Sequence, residues 1–427
     1  MVRASSLIGR AGPQLLLLAV AMAAAGYVRT AMSPLQEAMR IALSLTDNQM
    51  ALLQGPAIGI PVVLTAIPLG LLIDRYRRTG ILLVLMALSL AGTLLTALAP
   101  GFGLLLLARC LAGVMGLAIL PVVFSLLADL FEPAQRGRVT TVAIIGQVAG
   151  NSAAFALGGA FLAMSGSAPQ GWRSAMLGLA VPMVPLLILM LALREPPRIG
   201  VAIRNPSVRQ VWHELRHYRA MIAPLAIGII LAEIAIGAII IWASPMLSRR
   251  YALPPDQIGA IMAMGMLVSG IGGPLIGGPL ADLCQRTGGP RRTVAVLGGL
   301  ALLSVPASLF AFVPGATLAS VLLVASMTIV LAIVVMGMAL FTIVIPNEIR
   351  GLCMSVLIAA EILFALAFAP PLVSALSGAL GGAGMIGKAL SIVCAGAGVL
   401  SVLTFFYGMR AFPRASDADA APRLSEA

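Results

Sequence analysis

The chain has 427 residues, of which 60% are hydrophobic and only 10% are charged, and its mean hydropathy is +1.06. A water-soluble core cannot absorb so much apolar surface, so the composition excludes an ordinary soluble domain and makes the lipid bilayer the solvent. The formal net charge of +12 orients such a chain and faces anionic lipid, so it does not require a nucleic-acid partner.

Apolar runs of about 20 residues recur along the sequence, and each is long enough to cross roughly 30 Å of hydrocarbon. They lack the alternation of barrel strands, and backbone polar groups in lipid need partners within their own segment, so the runs predict helices. The sequence therefore predicts an all-α membrane protein with twelve transmembrane helices. These spans, numbered 1 to 12, cover residues 13–33, 50–73, 80–99, 102–128, 139–164, 174–193, 220–244, 258–280, 293–313, 316–345, 352–375 and 385–409.

Two features of the sequence predict how the spans are oriented. Span 1 continues through Met32 without a polar cleavage region, which favours a retained span over a secretory signal. When the N-terminus is placed in the cytoplasm, 20 of the 27 basic residues fall in cytoplasmic segments. This asymmetry obeys the positive-inside rule, so we expect a multi-pass protein of the inner (plasma) membrane with both termini in the cytoplasm.

The sequence also repeats itself after 208 residues. The repeated pattern is a glycine, an aspartate and an arginine, each four positions apart. Its members are Gly70, Asp74 and Arg78 between spans 2 and 3, and Gly278, Asp282 and Arg286 between spans 8 and 9. An internal repeat of six helices is typical of transporters built from two parallel halves. We therefore expect two six-helix bundles, residues 1–193 and 220–410, with a cytoplasmic linker at 194–219 and a cytoplasmic tail at 411–427.

The first copy of the repeat reads Gly-x-x-x-Asp-Arg-x-x-Arg, which resembles the signature loop of the major facilitator superfamily. The stretches "LSLTDNQMALLQG", "DLFEPAQRGR" and "REPPR" are similar to the spinster-like branch of that family, and the resemblance covers about residues 27–351. It implies a secondary transporter that works by alternating access on a small, amphipathic organic solute. We also expect a monomer in membrane lipid, with no cofactor.

The resemblance further implies a cytoplasmic latch between the two halves. In the family, the loop aspartate approaches the positive N-terminal end of a helix in the opposite half. Asp74 would then face the start of span 11, with Arg75 and Arg78 near Asp129. Asp282 would mirror this contact against span 5. The alternative is a solvated loop that follows the positive-inside rule, which explains the arginines but not the two aligned aspartates.

Among the charged residues in predicted spans, four are candidate site residues, because a charge inside the membrane costs about 2.5–3.5 kcal/mol on insertion scales. They are Glu233 in span 7, Glu361 in span 11, Arg29 near the end of span 1, and Arg109 in span 4. We expect Glu233 to be the principal carboxyl that binds protons or substrate, and Glu361 a secondary one. Arg109 or Arg29 would be the cationic counterpart. The structural alternatives are an Arg29 side chain that reaches the headgroups, and protonated glutamates that bind neighbouring helices.

Proton coupling is implied by the resemblance, but two acids of the spinster-like branch are missing. Span 1 has Val28 before Arg29 where that branch has an aspartate, and span 4 has Gly116 where it has a glutamate. An uncoupled uniporter, or a non-transporting receptor of the same fold, therefore stays open as an alternative.

One motif indicates a different class of protein. His213, Glu214 and His217 form the pattern H-E-x-x-H, which on a helix can bind zinc with the glutamate as base. The chain has only two histidines, and the next acidic residue is Glu233, inside a span. Trp212 and the nearby arginines predict instead an amphipathic helix on the cytoplasmic membrane face. We therefore expect neither a metal site nor an enzyme.

Overall fold

The computed structural model describes residues 12–132, 135–166, 170–197, 208–345 and 347–412. These residues form helices and connecting turns, with no strand among them. The helices are α1 (Gly12–Thr30), α2 (Gln36–Ala42), α3 (Asp47–Gln54), α4 (Pro56–Arg75), α5 (Arg78–Leu98), α6 (Phe102–Leu130), α7 (Arg136–Met164), α8 (Gly171–Ala180), α9 (Met183–Met190), α10 (Val208–Tyr251), α11 (Pro255–Ala307), α12 (Ala316–Val344), α13 (Asn347–Ile362), α14 (Ala369–Ala379) and α15 (Ile386–Gly408).

The described part of the chain contains 11 helical stretches that are long and apolar enough to cross a membrane. One of them, Pro255–Ala311, has 57 residues, which is enough for two crossings. The stretches therefore account for the twelve predicted spans, and the prediction of an all-α membrane protein is confirmed.

Several details of the spans differ from the prediction. Span 2 is divided into α3 and α4, because Gly55 leaves the helical conformation (φ −109°, ψ −93°) and Pro56 begins a new helix. Span 6 is divided into α8 and α9. Spans 8 and 9 both lie in α11, which consists of two helices joined across a kink, so the connection between them is shorter than the predicted loop. Only Gly289 breaks the helical conformation there, with a φ of 65° that favours glycine, and Pro290 follows it.

Span 11 consists of α13, a π-helical segment at Leu363–Phe368, and α14. A π-helix inside an α-helix shifts the positions of the side chains that follow and often occurs at functional sites. Here it begins two residues after Glu361, one of the predicted site residues.

The chain forms two compact units. Unit 1 consists of Met1–Ala202, Ile240–Leu267 and Leu366–Ala389, and unit 2 consists of Ile203–Ile239, Val268–Ala365 and Leu390–Ala427. The predicted domain bounds at residues 193 and 220 stay a prediction.

In unit 1, α1 packs against α7 with their backbones in contact. A methyl group added at Gly146 or Gly150 would collide with the backbone of Ala19 or Ala23. Lipid supplies no hydrophobic force between helices, so small residues that permit close van der Waals packing are what hold such a pair together. Met22, which is fully buried, belongs to the hydrophobic core beside this contact.

In unit 2, α10 packs against α12 and α15. The ring of Phe405 lies against Gly228, and the side chain of Ile229 lies against Gly337. Each contact pairs a glycine with a large apolar side chain, so the large group occupies the space that a side chain would otherwise take. This packing fixes α10, which carries Glu233, against its neighbours.

Candidate functional site

Two glutamates lie within the membrane-spanning helices of unit 2. Glu233 on α10 is half-buried, and Glu361 on α13 is only 8% exposed. The two carboxyl groups are close enough for their charges to repel each other. Oε1 of Glu361 is buried and has no hydrogen-bond partner among the described residues. The structure thus brings together two residues that the sequence could assign only to separate spans.

Two arginines meet in the membrane-spanning helices of unit 1. Arg109 on α6 is 2% exposed, and its Nη2 donates a hydrogen bond to the backbone carbonyl of Arg29 at 3.4 Å. Arg29 is half-buried in the last turn of α1. The Nε–H of Arg109 has no acceptor in the described part of the chain. A buried guanidinium with an unused donor is able to bind a further acceptor.

Arg78 is the centre of an ion-pair network at the start of α5. Its side chain is 4% exposed, and Nη1 lies 2.5 Å from Oδ2 of Asp129. The same nitrogen donates to Oγ of Ser125 at 3.0 Å, and Nε donates to Oε1 of Glu195 at 3.1 Å. A buried arginine that binds two carboxylates ties the loop before α5 to α6 and to the start of the linker.

Glu195 also caps α5 from a distant part of the sequence. Its Oε2 accepts hydrogen bonds from the backbone N–H and the hydroxyl of Thr79, both at 2.8 Å, and its Oε1 accepts from the backbone N–H of Arg78 at 3.2 Å. Burial tends to raise the pKa of Glu195, but the hydrogen bonds from Thr79 and Arg78 outweigh it and lower the pKa. The stabilisation is therefore complete above the pKa of the unfolded side chain and is lost as pH falls through the lower, folded value.

The sequence did not assign a role to Glu195. It lies in "REPPR", which served only as a sign of family resemblance. The available signal was an acidic residue directly after a span, in a segment where arginines predominate. Such an acid can pair with the arginines of a neighbouring cytoplasmic loop.

The contacts predicted for the other latch residues, Asp74 with span 11 and Asp282 with span 5, stay a prediction. The latch residues with exposed side chains are Arg75, Asp282 and Arg286. The side chain of Asp74 lies outside the described residues. A methyl group added at Gly70 or Gly278 would meet no described atom within 4 Å. This conformation therefore gives no steric reason for a glycine at either position.

A second ion cluster lies in unit 1, at α2 and the start of α3. Nη2 of Arg249 lies 2.7 Å from a carboxylate oxygen of Glu37 and 2.7 Å from one of Asp47. Its Nη1 donates to Asp47 at 2.8 Å and to the backbone carbonyl of Ala383 at 3.0 Å. Arg40 also pairs with Glu37, at 2.7 Å. One guanidinium thus holds the end of α10 and the turn before α15 to the segment between α1 and α3.

We call this group the outer cluster; its members are Glu37, Arg40, Asp47 and Arg249. The sequence analysis did not predict it. Arg249 was counted only as a basic residue outside the cytoplasmic segments. The signal that could have found it is the excess of charge on the side where the positive-inside rule expects little. A buried or partly buried ion pair is a reason to keep an arginine there.

The H-E-x-x-H motif gains no support from the structure. Its backbone forms part of α10, but the side chains of His213, Glu214 and His217 lie outside the described residues. Among the residues that the structure does describe, no group of His, Cys, Asp or Glu is arranged to hold a metal ion.

Comparison with known proteins decides the family. The sequence profile of the Major Facilitator Superfamily matches residues 16–244, which is more than half of the chain. The chain belongs to the major facilitator superfamily. It is therefore a multi-pass membrane transporter and not an enzyme, as the sequence predicted. No curated protein sequence matches it significantly.

Solved structures of the superfamily share the fold over nearly the whole chain. A bacterial homologue of the human lysosomal transporter Spinster, solved in an inward-facing and unoccupied conformation, is 21% identical with a TM-score of 0.77, over 95% of this chain and 96% of that one. A D-xylose–proton symporter is 15% identical with a TM-score of 0.71, over 94% and 98%. The nucleoside transporter NupG is 14% identical with a TM-score of 0.70, over 94% and 100%. The likeness predicted from the sequence to the spinster-like branch of the superfamily is thus matched in the fold.

Proposed function

We propose that this superfamily member is a secondary active transporter that moves a small, amphipathic organic solute across the inner membrane by alternating access, coupled to protons. The observation that carries the proposal is the pair of Glu233 and Glu361 inside apolar helices of unit 2. A carboxyl group in a medium of low dielectric favours its neutral form, so it can take up a proton on one side and release it on the other.

In this mechanism two carboxyl groups and two arginines supply opposite charges for transport. Glu233 is the principal carboxyl and Glu361 the secondary one, as their sequence positions predict. Arg109 and Arg29 provide positive charge in unit 1, and the Nε–H of Arg109 is a hydrogen-bond donor without an acceptor among the described residues. Because 20 of 27 basic residues fall on one side of the predicted spans, that side is the cytoplasm and holds both termini.

Replacing Glu233 with glutamine should abolish accumulation of the solute against its gradient in proteoliposomes. Exchange between labelled and unlabelled pools should persist at saturating solute, because exchange needs no net movement of protons. The amide is nearly isosteric with the protonated acid, so folding should be preserved. The measurement is uptake with and without an imposed pH gradient, using a substrate found by screening a panel of amphipathic solutes.

The matched control is Asp256→Asn, which removes an exposed carboxylate at the start of α11. It should accumulate solute like the wild type. If Glu233→Gln also accumulates solute with an unchanged response to the pH gradient, the coupling assigned to Glu233 is wrong. Wild-type flux that ignores the gradient would indicate a uniporter, and binding without flux would indicate a receptor.

We also propose that the repeated aspartates form the cytoplasmic latch of this transporter. Replacing Asp74 with asparagine should leave the protein inserted but slow turnover about 5-fold, because a carboxylate at a helix N-terminus contributes about 1 kcal/mol. A cysteine introduced at Met354, near the start of span 11, should also react faster with a cytoplasmic thiol reagent. Wild-type turnover and reactivity in Asp74→Asn would show that the repeated aspartates have no latch function.

A further inference from the structure

The helices that carry the two glutamates run parallel and in a fixed register. A methyl group at Gly237 on α10 would collide with the backbone carbonyl of Ala365, so the two backbones touch there. Five residues further along both helices, Nε1 of Trp242 donates a hydrogen bond to the carbonyl of Pro370 at 3.1 Å, across a sequence separation of 128 residues. Gly237 and Ala365 are separated by the same 128 residues. An unchanged separation at two successive contacts means that the helices run in the same direction at the same level.

Glu233 and Glu361 fit this register. They too are 128 residues apart, and each precedes its contact residue, Gly237 or Ala365, by four positions. Residues four apart lie on nearly the same face of an α-helix, and also in the slightly wider turn of the π-helical segment Leu363–Phe368 that contains Ala365. The two glutamates therefore lie at one level, on the surfaces that the two helices turn toward each other. Their mutual repulsion agrees with this placement.

Basic residues are missing from the apolar stretches of unit 2, to which the pair belongs. The sequence contains no lysine, arginine or histidine in the apolar stretches of unit 2, which are residues 220–239, 268–285, 293–345, 351–365 and 390–409. Oε1 of Glu361 is buried without a hydrogen-bond partner among the residues described. A buried carboxylate oxygen that lacks a donor is costly unless a bound group supplies one.

We propose that Glu233 and Glu361 together bind the positively charged group of the substrate, so that the transported solute is an amphipathic organic monocation. The inference rests on the proposed transport function and narrows its substrate class. One positive charge and one proton neutralise two carboxylates, which matches a proton-coupled site that takes a single cationic group. The alanine, isoleucine and leucine residues that flank both glutamates suit the apolar part of such a solute.

Binding of tetraphenylphosphonium to the purified full-length protein in detergent tests the proposal. This cation is permanently charged, apolar in its outer surface, and nearly identical in size and shape to the anion tetraphenylborate. Equilibrium dialysis should show saturable binding of the cation to the wild type and to the control Asp256→Asn. Glu233→Gln and Glu361→Gln should each weaken that binding by about 30-fold, as expected when one partner of a buried charge contact is removed. Tetraphenylborate binding should not respond to either substitution.

Three results would overturn the cation site. The first is that the wild type binds tetraphenylphosphonium no more strongly than the Glu233→Gln, Glu361→Gln double variant does. The second is that all variants bind this cation equally. The third is that the same substitutions abolish the binding of tetraphenylborate. Circular dichroism and a monodisperse elution profile for each variant ensure that the comparison is between folded proteins. Because binding is measured without flux, failure here leaves the test of proton-coupled transport intact, and failure of transport leaves this test intact.

Discussion

Replacing Arg78, the first residue of α5, with glutamine is expected to destabilise the protein by about 3 kcal/mol. The guanidinium is 4% exposed and forms ion pairs with Asp129 and Glu195. Without it, two carboxylates of low exposure lose a positive partner and their repulsion is no longer compensated. The amide cannot replace the charge. The midpoint of thermal unfolding in detergent, followed by fluorescence-detected size exclusion, should fall by several degrees.

The neighbouring Arg77 provides a matched control for this prediction. It carries the same charge one position earlier, and its side chain is exposed. Arg77→Gln should therefore change the midpoint little, because exposed charges contribute little to stability. The midpoint of Arg78→Lys should lie between those of Arg77→Gln and Arg78→Gln, since lysine keeps the charge but lacks the planar guanidinium group that binds two partners. Equal midpoints for Arg77→Gln and Arg78→Gln would contradict the assigned role of the network.

Replacing Arg249 with glutamine should loosen the contact between the end of α10 and the segment between α1 and α3. Its guanidinium binds the carboxylates of Glu37 and Asp47 through four hydrogen bonds of 2.7–2.9 Å. The three side chains are 12–19% exposed. We expect the free energy that holds this contact together to fall by about 2 kcal/mol, at the lower end of the range for buried charge pairs. The ratio of molecules with the contact formed to those with it broken would then fall roughly 30-fold.

Cysteine accessibility measures the expected opening. Ser374 is 3% exposed and donates a hydrogen bond to Asn48 at 2.5 Å, within the same unit. In a cysteine-free background, Ser374→Cys should react faster with a membrane-impermeant maleimide when Arg249→Gln is added. Arg250→Gln is the matched control, because Arg250 is the adjacent arginine and is exposed. If both glutamine variants leave the labelling rate unchanged, the outer cluster does not hold this end closed.

The sequence predicted the number and type of the spans because hydropathy and length decide them in a bilayer. It did not predict where a span is interrupted. Gly55 and Pro56 lie inside a run as apolar as its neighbours, and the π-helix at Leu363–Phe368 has no local signature in its residue types. The shortness of the connection at Gly289 was also missed, because a polar, glycine-rich stretch favours a longer loop on local grounds.

The sequence also predicted only part of the candidate site. Glu233 and Glu361 stood out individually, because an acid in an apolar span is rare. Their pairing could not be read from the sequence, since it depends on the register of two helices separated by three other spans. The contact between Arg249 and Glu37 is equally non-local, because the two residues are 212 positions apart in the sequence. Without a set of related sequences in which paired positions vary together, such contacts are visible only in the fold.

The backbone contact between α1 and α7 has a consequence for the order of assembly during synthesis. Ala19 and Gly146 are 127 residues apart, so at ordinary translation rates α1 leaves the ribosome about 10 s before its partner helix exists. During that interval the small-residue face of α1 meets only lipid, and the helix is held in the membrane by its hydropathy alone. Close packing is therefore a late event, separate from insertion. A bulkier residue at Gly146 or Gly150 would give a chain in which every helix is inserted correctly but α1 is not packed against α7. Membrane proteases could recognise such a chain.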